Sequence, residues 1–170
     1  MSEIIDGKKI SETISVKLAE TIQSQLKVYP RPPCLAVILV GDTPASHIYV
    51  GRKEKACQKI GMSSKTLKLS STTTQQKLIS HLKELNEDPL VDGILVQLPL
   101  PSHIDSFEVL SHIDPKKDVD GLTSQNQGLL ALKKASHIPC TPKGVIEMLK
   151  AIEFEISGCK AVVIGRSTLV

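Results

Sequence analysis

The chain has no tryptophan and only four aromatic residues, Tyr29, Tyr49, Phe107 and Phe154, among its 170. Its core must therefore be aliphatic, and the scarcity argues against the exposed stacking platforms that bind single-stranded nucleic acid. An excess of positive charge is also missing. Lys plus Arg is 21 against 18 Asp plus Glu, and the resulting +3 is spread too evenly for a DNA binder. No run approaches the roughly 20 apolar residues of a membrane span. The N-terminus mixes charge into its apolar residues from Met1 to Lys9, which is not the pattern of a signal peptide. The four cysteines, Cys34, Cys57, Cys140 and Cys159, lie 23, 83 and 19 residues apart, so none forms the C-x-x-C of a zinc or redox site. The five histidines show no ligand spacing either, and no metal is expected. These absences describe a soluble, cytoplasmic protein with reduced thiols, in which Cys34 and Cys159, at the edges of apolar segments, should be buried.

What is present is an alternation of helix and strand patterns. Hydrophobic residues make up 41% of the chain, enough for a packed core. Ile10, Ile14, Leu18, Ile22 and Leu26 fall four apart and predict a first helix, with Ser11 as its N-cap and Pro30, Pro32 and Pro33 beyond its end. Cys34 to Val40 is an unbroken apolar run, the signature of a strand covered on both faces in a parallel sheet. A second helix is expected from about Thr43 to Ile60, stopped by Gly61. A short strand over Thr66–Leu69, a helix over Gln75–Leu85 and a buried strand over Asp92–Val96 follow. Next come a helix near Ser106–Ile113, a polar loop over 116–124, and a helix that Thr141 would cap, with Pro142 in its first turn. Lys160–Gly165 reads as a last strand. The order predicts an α/β fold: a three-layer N-terminal domain with a mostly parallel sheet, then the start of a second α/β unit inside which the chain is expected to be cut.

Four places could carry chemistry. Ser46, Tyr49 and Lys53 share one face of the second helix, where a ring offers a stacking surface and a desolvated lysine an acid or base. The same spacing fits a plain surface Tyr–Lys pair. Gln97 sits where a buried strand ends, the edge at which open α/β sheets bind ligands, although it could equally satisfy loop backbone. Asp118 and Asp120 precede Gly121; a carboxylate there can grip an amidine-like edge through two parallel hydrogen bonds or cap the following segment, and capping is the simpler expectation. Gly165, Arg166 and Ser167 follow an apolar segment, the position of a nucleotide phosphate site, but the full G-x-G-x-x-G is absent.

In order and spacing, Tyr49-Val-Gly-Arg-Lys53, Val96-Gln-Leu-Pro-Leu-Pro101, Lys117-Asp-Val-Asp-Gly121, Pro139-Cys-Thr-Pro142 and Val163-Ile-Gly-Arg-Ser167 together resemble one family. It is the bifunctional methylenetetrahydrofolate dehydrogenase/methenyltetrahydrofolate cyclohydrolases, and the likeness runs from Ile5-Asp-Gly7 onward. The resemblance implies a folate-binding catalytic domain over 1–120, then a connecting segment and the first part of a Rossmann NADP domain over 121–170. It implies oxidation of 5,10-methylenetetrahydrofolate with NADP, then hydrolysis to 10-formyltetrahydrofolate. Lys53 would be the catalytic lysine, Tyr49 would stack on the folate, and Gln97 would hydrogen-bond near Lys53. Ser46, Leu98, Pro99 and Asp120 would contact substrate, Asp120 at the pterin's aminopyrimidine edge. Gly165, Arg166 and Ser167 would begin the NADP phosphate site. A homodimer is implied by the same likeness. Two alternatives stand beside it: a non-catalytic folate-binding module left by truncation, and an unrelated nucleotide-binding α/β protein.

Overall fold

The structure is a computed structural model and describes residues 4–165. Three strands form its sheet: β1 (Cys34–Val40), β2 (Ser63–Leu69) and β3 (Gly93–Val96), in the order β2-β1-β3 and all parallel. Parallel neighbours need crossover connections, and helices supply them: α2 (Pro44–Ile60) joins β1 to β2, and α3 (Gln75–Glu87) joins β2 to β3. The helix α1 (Gly7–Gln25) precedes β1, while α4 (Ser106–Ser111), α5 (Ser124–Ala131) and α6 (Cys140–Ala151) follow β3.

The strand β1 alternates its side chains between two cores. Ala36, Ile38 and Val40 join Leu78, Leu82 and Leu85 of α3 on one face. Val37 and Leu39 join Val50 of α2 and Leu95 of β3 on the other. The result is the expected α/β three-layer sandwich, with helices on both faces of an aliphatic sheet. Helix ends follow local chemistry. Gly61, at φ 82°, closes α2 while the Met62 amide reaches back to the Cys57 carbonyl at 2.9 Å, and Thr74 caps α3 through the Lys77 amide.

Several expectations need correction. Asp6, not Ser11, caps α1, because its carboxylate accepts from the Lys9 amide at 3.0 Å and starts the helix a turn earlier. Of the apolar stripe on α1 only Ile22 is buried; Ile14 and Leu18 remain 39% and 45% exposed, since the helix packs mainly against α2 and α6 and not into the sheet. The strand β2 begins at Ser63, three residues before the apolar pattern, because it pairs with the whole length of β1 as an exposed edge. The helix α5, begun by Thr123 accepting from the Asn126 amide, was given no signal by its mixed composition. α6 starts at Cys140 with Pro139 at its cap, so Thr141 lies inside the first turn and caps nothing. The segment Lys160–Gly165 is not a strand: Val162, Val163 and Ile164 are exposed, and among the described residues no strand pairs with it. Cys57 is the buried thiol, Cys34 is half-buried and Cys159 is exposed.

The segment after α4 is the part of the fold that shapes the site. Asp118 is 1% exposed and accepts from the Leu122 amide, the Thr123 amide and the Asn126 side-chain amide at 3.1, 2.8 and 2.8 Å. The Ile94 amide donates to the Lys117 carbonyl at 2.7 Å, which lays this segment along β3. Gly93 permits the approach, since a Cβ there would run into Val119. Replacing Asp118 by Ala strands three buried donors, and the expected loss is about 3 kcal/mol in urea unfolding; an unchanged midpoint would contradict this account. At the opposite end of the sheet, hydrogen bonding from Arg31 holds the Asp92 carboxyl below its ordinary range, against a smaller effect of burial. Its folded value is depressed, so its contribution is present above the unfolded value near pH 4 and is lost as pH falls through the folded value. Asp92→Asn should therefore flatten the acid limb of the stability profile below about pH 4, as followed by circular dichroism.

Candidate active site

The carboxyl ends of all three strands lie at one edge of the sheet, and Gln97 is the first residue beyond β3. Its backbone amide donates to the Ile38 carbonyl at 2.8 Å, continuing the β1 pairing by one residue and anchoring the side chain. The side-chain Nε2 donates to the Leu98 carbonyl at 2.7 Å, which leaves Oε1 directed at α2. There Lys53 Nζ donates to it at 2.8 Å across 44 residues of sequence. Both residues are half-buried. The amide is used at both ends, so the lysine is oriented by a neutral partner that brings no charge of its own.

These two residues stand in a cleft of about 590 Å³, whose rim also includes Leu98, Asp120, Cys140 and Thr141. Its floor is apolar, formed by Leu35, Cys57 and Leu95 among others. The wall opposite α2 exists because of two glycines. Gly93 lets Val119 and Asp120 close on β3, and Gly121, at φ 64°, lies so near the His137 carbonyl that an added Cβ would sit 2.8 Å from its oxygen. That contact brings Pro139–Thr141 beside Asp120.

The two aspartates divide the options that their spacing leaves open. Asp118 turns inward and holds the turn into α5, whereas Asp120 faces the cleft. The capping expectation thus fits Asp118 alone. Tyr49, one turn before Lys53, is 55% exposed on the open side of α2 and is not among the residues that line the cleft. Ser46 is 4% exposed and packed beneath α2, so it is not on the cleft surface; Pro99 is exposed beyond Leu98 and is not among the lining residues. Gly165 is exposed, with nothing within 4 Å of the place a Cβ would take. Arg166 and Ser167 lie outside the described residues. Among the described residues no group of three or more His, Cys, Asp or Glu could hold a metal ion.

Cys140 is the lining residue to which no role attaches from its sequence, although it stands inside the Pro139-Cys-Thr-Pro142 motif. Much of its surface remains in solvent, but the cleft wall crowds the sulfur. Burial first, and then the Asp120 carboxylate, push its thiol up to about 11. The sulfur is thus neutral at physiological pH and acts as a small apolar wall.

A parallel α/β sandwich with a lysine, a glutamine and a carboxylate converging beyond the strand ends defines an enzyme-like cleft of the open-sheet class. Comparison then makes the assignment specific. Residues 5–120 match the sequence profile of the tetrahydrofolate dehydrogenase/cyclohydrolase catalytic domain, and residues 139–170 that of the same family's NAD(P)-binding domain. The chain belongs to the tetrahydrofolate dehydrogenase/cyclohydrolase family. It is 48% identical over 171 residues to the bifunctional protein FolD of Wolbachia sp. subsp. Drosophila simulans (strain wRi), covering 100% of this chain and 59% of that protein. The solved FolD methylenetetrahydrofolate dehydrogenase/cyclohydrolase of Campylobacter jejuni is 46% identical, with a TM-score of 0.95, over 99% of this chain and 60% of its own. The Trypanosoma brucei enzyme, solved with NADP and an inhibitor, is 35% identical, with a TM-score of 0.89, over 92% of this chain and 54% of its own. The chain therefore spans about three fifths of the length of these relatives.

Because the cleft wall crowds Cys140, its alkylation by iodoacetamide should be slow at pH 8 and climb through pH 10 to 11, its thiolate forming only near 11. Peptide mass spectrometry across pH would show this. A rate that levels off near pH 8.5, the value of a free thiol, would show that the sulfur is not crowded.

Proposed function

We propose that the chain is the folate-binding and catalytic part of an enzyme that oxidises 5,10-methylenetetrahydrofolate with NADP and hydrolyses the methenyl product to 10-formyltetrahydrofolate. The observation that carries this reading is the 2.8 Å hydrogen bond from Lys53 Nζ to Gln97 Oε1, with Asp120 across the same cleft. Asp120 can accept two parallel N–H bonds from the aminopyrimidine edge of a pterin, which fixes the ring in the cleft. Tyr49, exposed on α2 one turn before Lys53 and outside the cleft lining, would offer its ring to the aryl part of a substrate that extends beyond the cleft. The reacting one-carbon bridge then lies near Lys53. Water attack on that carbon must shed a proton, and the collapsing adduct must gain one at nitrogen. A lysine poised by Gln97 can carry it between those atoms.

NADP, when bound, would accept the hydride. The described residues do not build its cradle: Val162–Ile164 are exposed and unpaired, and Gly165 has open space around it. The chemistry derived from this chain is therefore that of the folate side. The match of residues 139–170 to the family's NAD(P)-binding domain supports the remainder, with Gly165, Arg166 and Ser167 opening the phosphate site. A boundary near residue 120, a homodimeric assembly and a cytoplasmic location belong to the same proposal, as does the absence of a nucleic-acid role. No helix among the described residues is long and apolar enough to cross a membrane.

Lys53→Met, made in the full-length protein, tests the central role. Hydrolysis of 5,10-methenyltetrahydrofolate is expected to fall about a hundred-fold or more, while folate affinity stays within a few-fold. A variant that hydrolyses at the full rate would remove Lys53 from the mechanism. Folate binding in the unaltered protein with no turnover at all would favour the non-catalytic module.

A further inference from the structure

Two lysines are half-buried among the described residues: Lys53 in the cleft, and Lys117, which lies outside its lining. Lys117 opens the Lys117-Asp-Val-Asp-Gly121 motif, and the chemistry above gives its ammonium nothing to do. Among the described residues it forms no ion pair. Its Nζ donates instead to the Leu85 carbonyl at 3.1 Å and to the Asp88 carbonyl at 2.8 Å. Both acceptors lie at the carboxyl end of α3, where a helix leaves carbonyls without partners and favours a positive charge. The last turn of α3 has no basic residue of its own, so the cation comes from a distant segment.

Lys117 is held at its backbone as well. While the side chain grips α3 on one face of the sheet, the Lys117 carbonyl accepts from the Ile94 amide of β3 at 2.7 Å. Asn86, on the same end of α3, braces the preceding turn. Its Nδ2 donates to the His112 carbonyl at 2.8 Å, and its Oδ1 accepts from the Asp114 amide at 2.9 Å. From this anchor the chain runs beside β3 to Val119, packed over Gly93, and then to Asp120 at the cleft.

Resting on the folate reading above, we propose that Lys117 is a positioning residue for Asp120. By tying its own segment to α3 it sets where that segment lies along β3, and so where the Asp120 carboxylate meets the aminopyrimidine edge. Two parallel bonds to a planar edge tolerate little displacement. Removing the ammonium also leaves two carbonyls without their donor, which loosens the anchor. The Lys53–Gln97 pair joins α2 to the end of β3 and shares none of these contacts. The effect therefore falls on substrate binding rather than on turnover.

In the full-length protein, Lys117→Met is expected to raise KM for 5,10-methylenetetrahydrofolate about ten-fold, the scale of one lost charge-assisted bond. The kcat should stay within about two-fold, and KM for NADP should not change. Lys117→Arg keeps the charge and the donors and should restore most of the affinity. In an Asp120→Asn background, Lys117→Met should raise KM no further, because the carboxylate it places is gone. Should Lys117→Met fail to fold by circular dichroism, Asn86→Ala removes the neighbouring brace and is expected to give the same rise in KM alone; no rise there overturns the inference. An unchanged KM in Lys117→Met, a matching fall in kcat, or additive effects in the double variant also overturn it while the folate reading stands. Absence of turnover in the unaltered protein, or an Asp120→Asn variant with unaltered KM, overturns the reading beneath it, and the inference with it.

Discussion

Parallel pairing of β1 with both of its neighbours is the constraint on which the rest of the molecule depends. Parallel strands cannot be joined by tight turns, so each must be followed by a helix that returns along the sheet. Every strand then ends at one edge, and every crossover helix begins there. Gln97, one residue past β3, is delivered to that edge, and α2, which starts there, carries Lys53 near its middle as it returns along the sheet. The meeting of Lys53 with Gln97 follows from this topology.

The second wall of the cleft has a different origin. It depends on how closely a loop can lie against a strand. Gly93 removes the Cβ that would collide with Val119, and Gly121 takes a left-handed turn under the His137 carbonyl. Asp118 then gathers donors from Leu122, Thr123 and Asn126, which turns an otherwise polar connection into a rigid one. Two aspartates separated by one residue thereby acquire opposite tasks. One is buried and satisfied by its own chain, and the other is left to face the cleft.

The aliphatic run of β1, the four-residue spacing on α3 and the stops at Gly61 and Pro30–Pro33 could all be read directly, because each is a local signal acting within a few residues. The polar start of β2 carried no such signal, since only the backbone of β1 draws Ser63–Lys65 into the sheet. The helix α5 was missed for a related reason: Gly128 and a mixed composition give it no stripe, and its start rests on the Thr123 cap. The segment Lys160–Gly165 erred the other way. Its apolar run looks like a strand, but a strand forms only where a neighbour offers hydrogen bonds. In the site, Lys53, Gln97, Leu98 and Asp120 line one cleft, whereas Ser46 is buried on the inner side of α2 and Tyr49 and Pro99 lie outside the lining.

The amino-acid sequence by itself determined the layer order, the two-faced burial of β1 and β3, and, through five ordered motifs, the family to which the chain belongs. These are properties of short segments and their order, which propensity and hydrophobic spacing encode directly. Only the tertiary structure decided that the Gln97 amide extends the pairing to Ile38 of β1, that Val119 closes over Gly93, and that Cys140 crowds against Asp120. Each of those outcomes joins residues far apart in the chain, and it is set by how closely backbones can approach rather than by the residues that flank them.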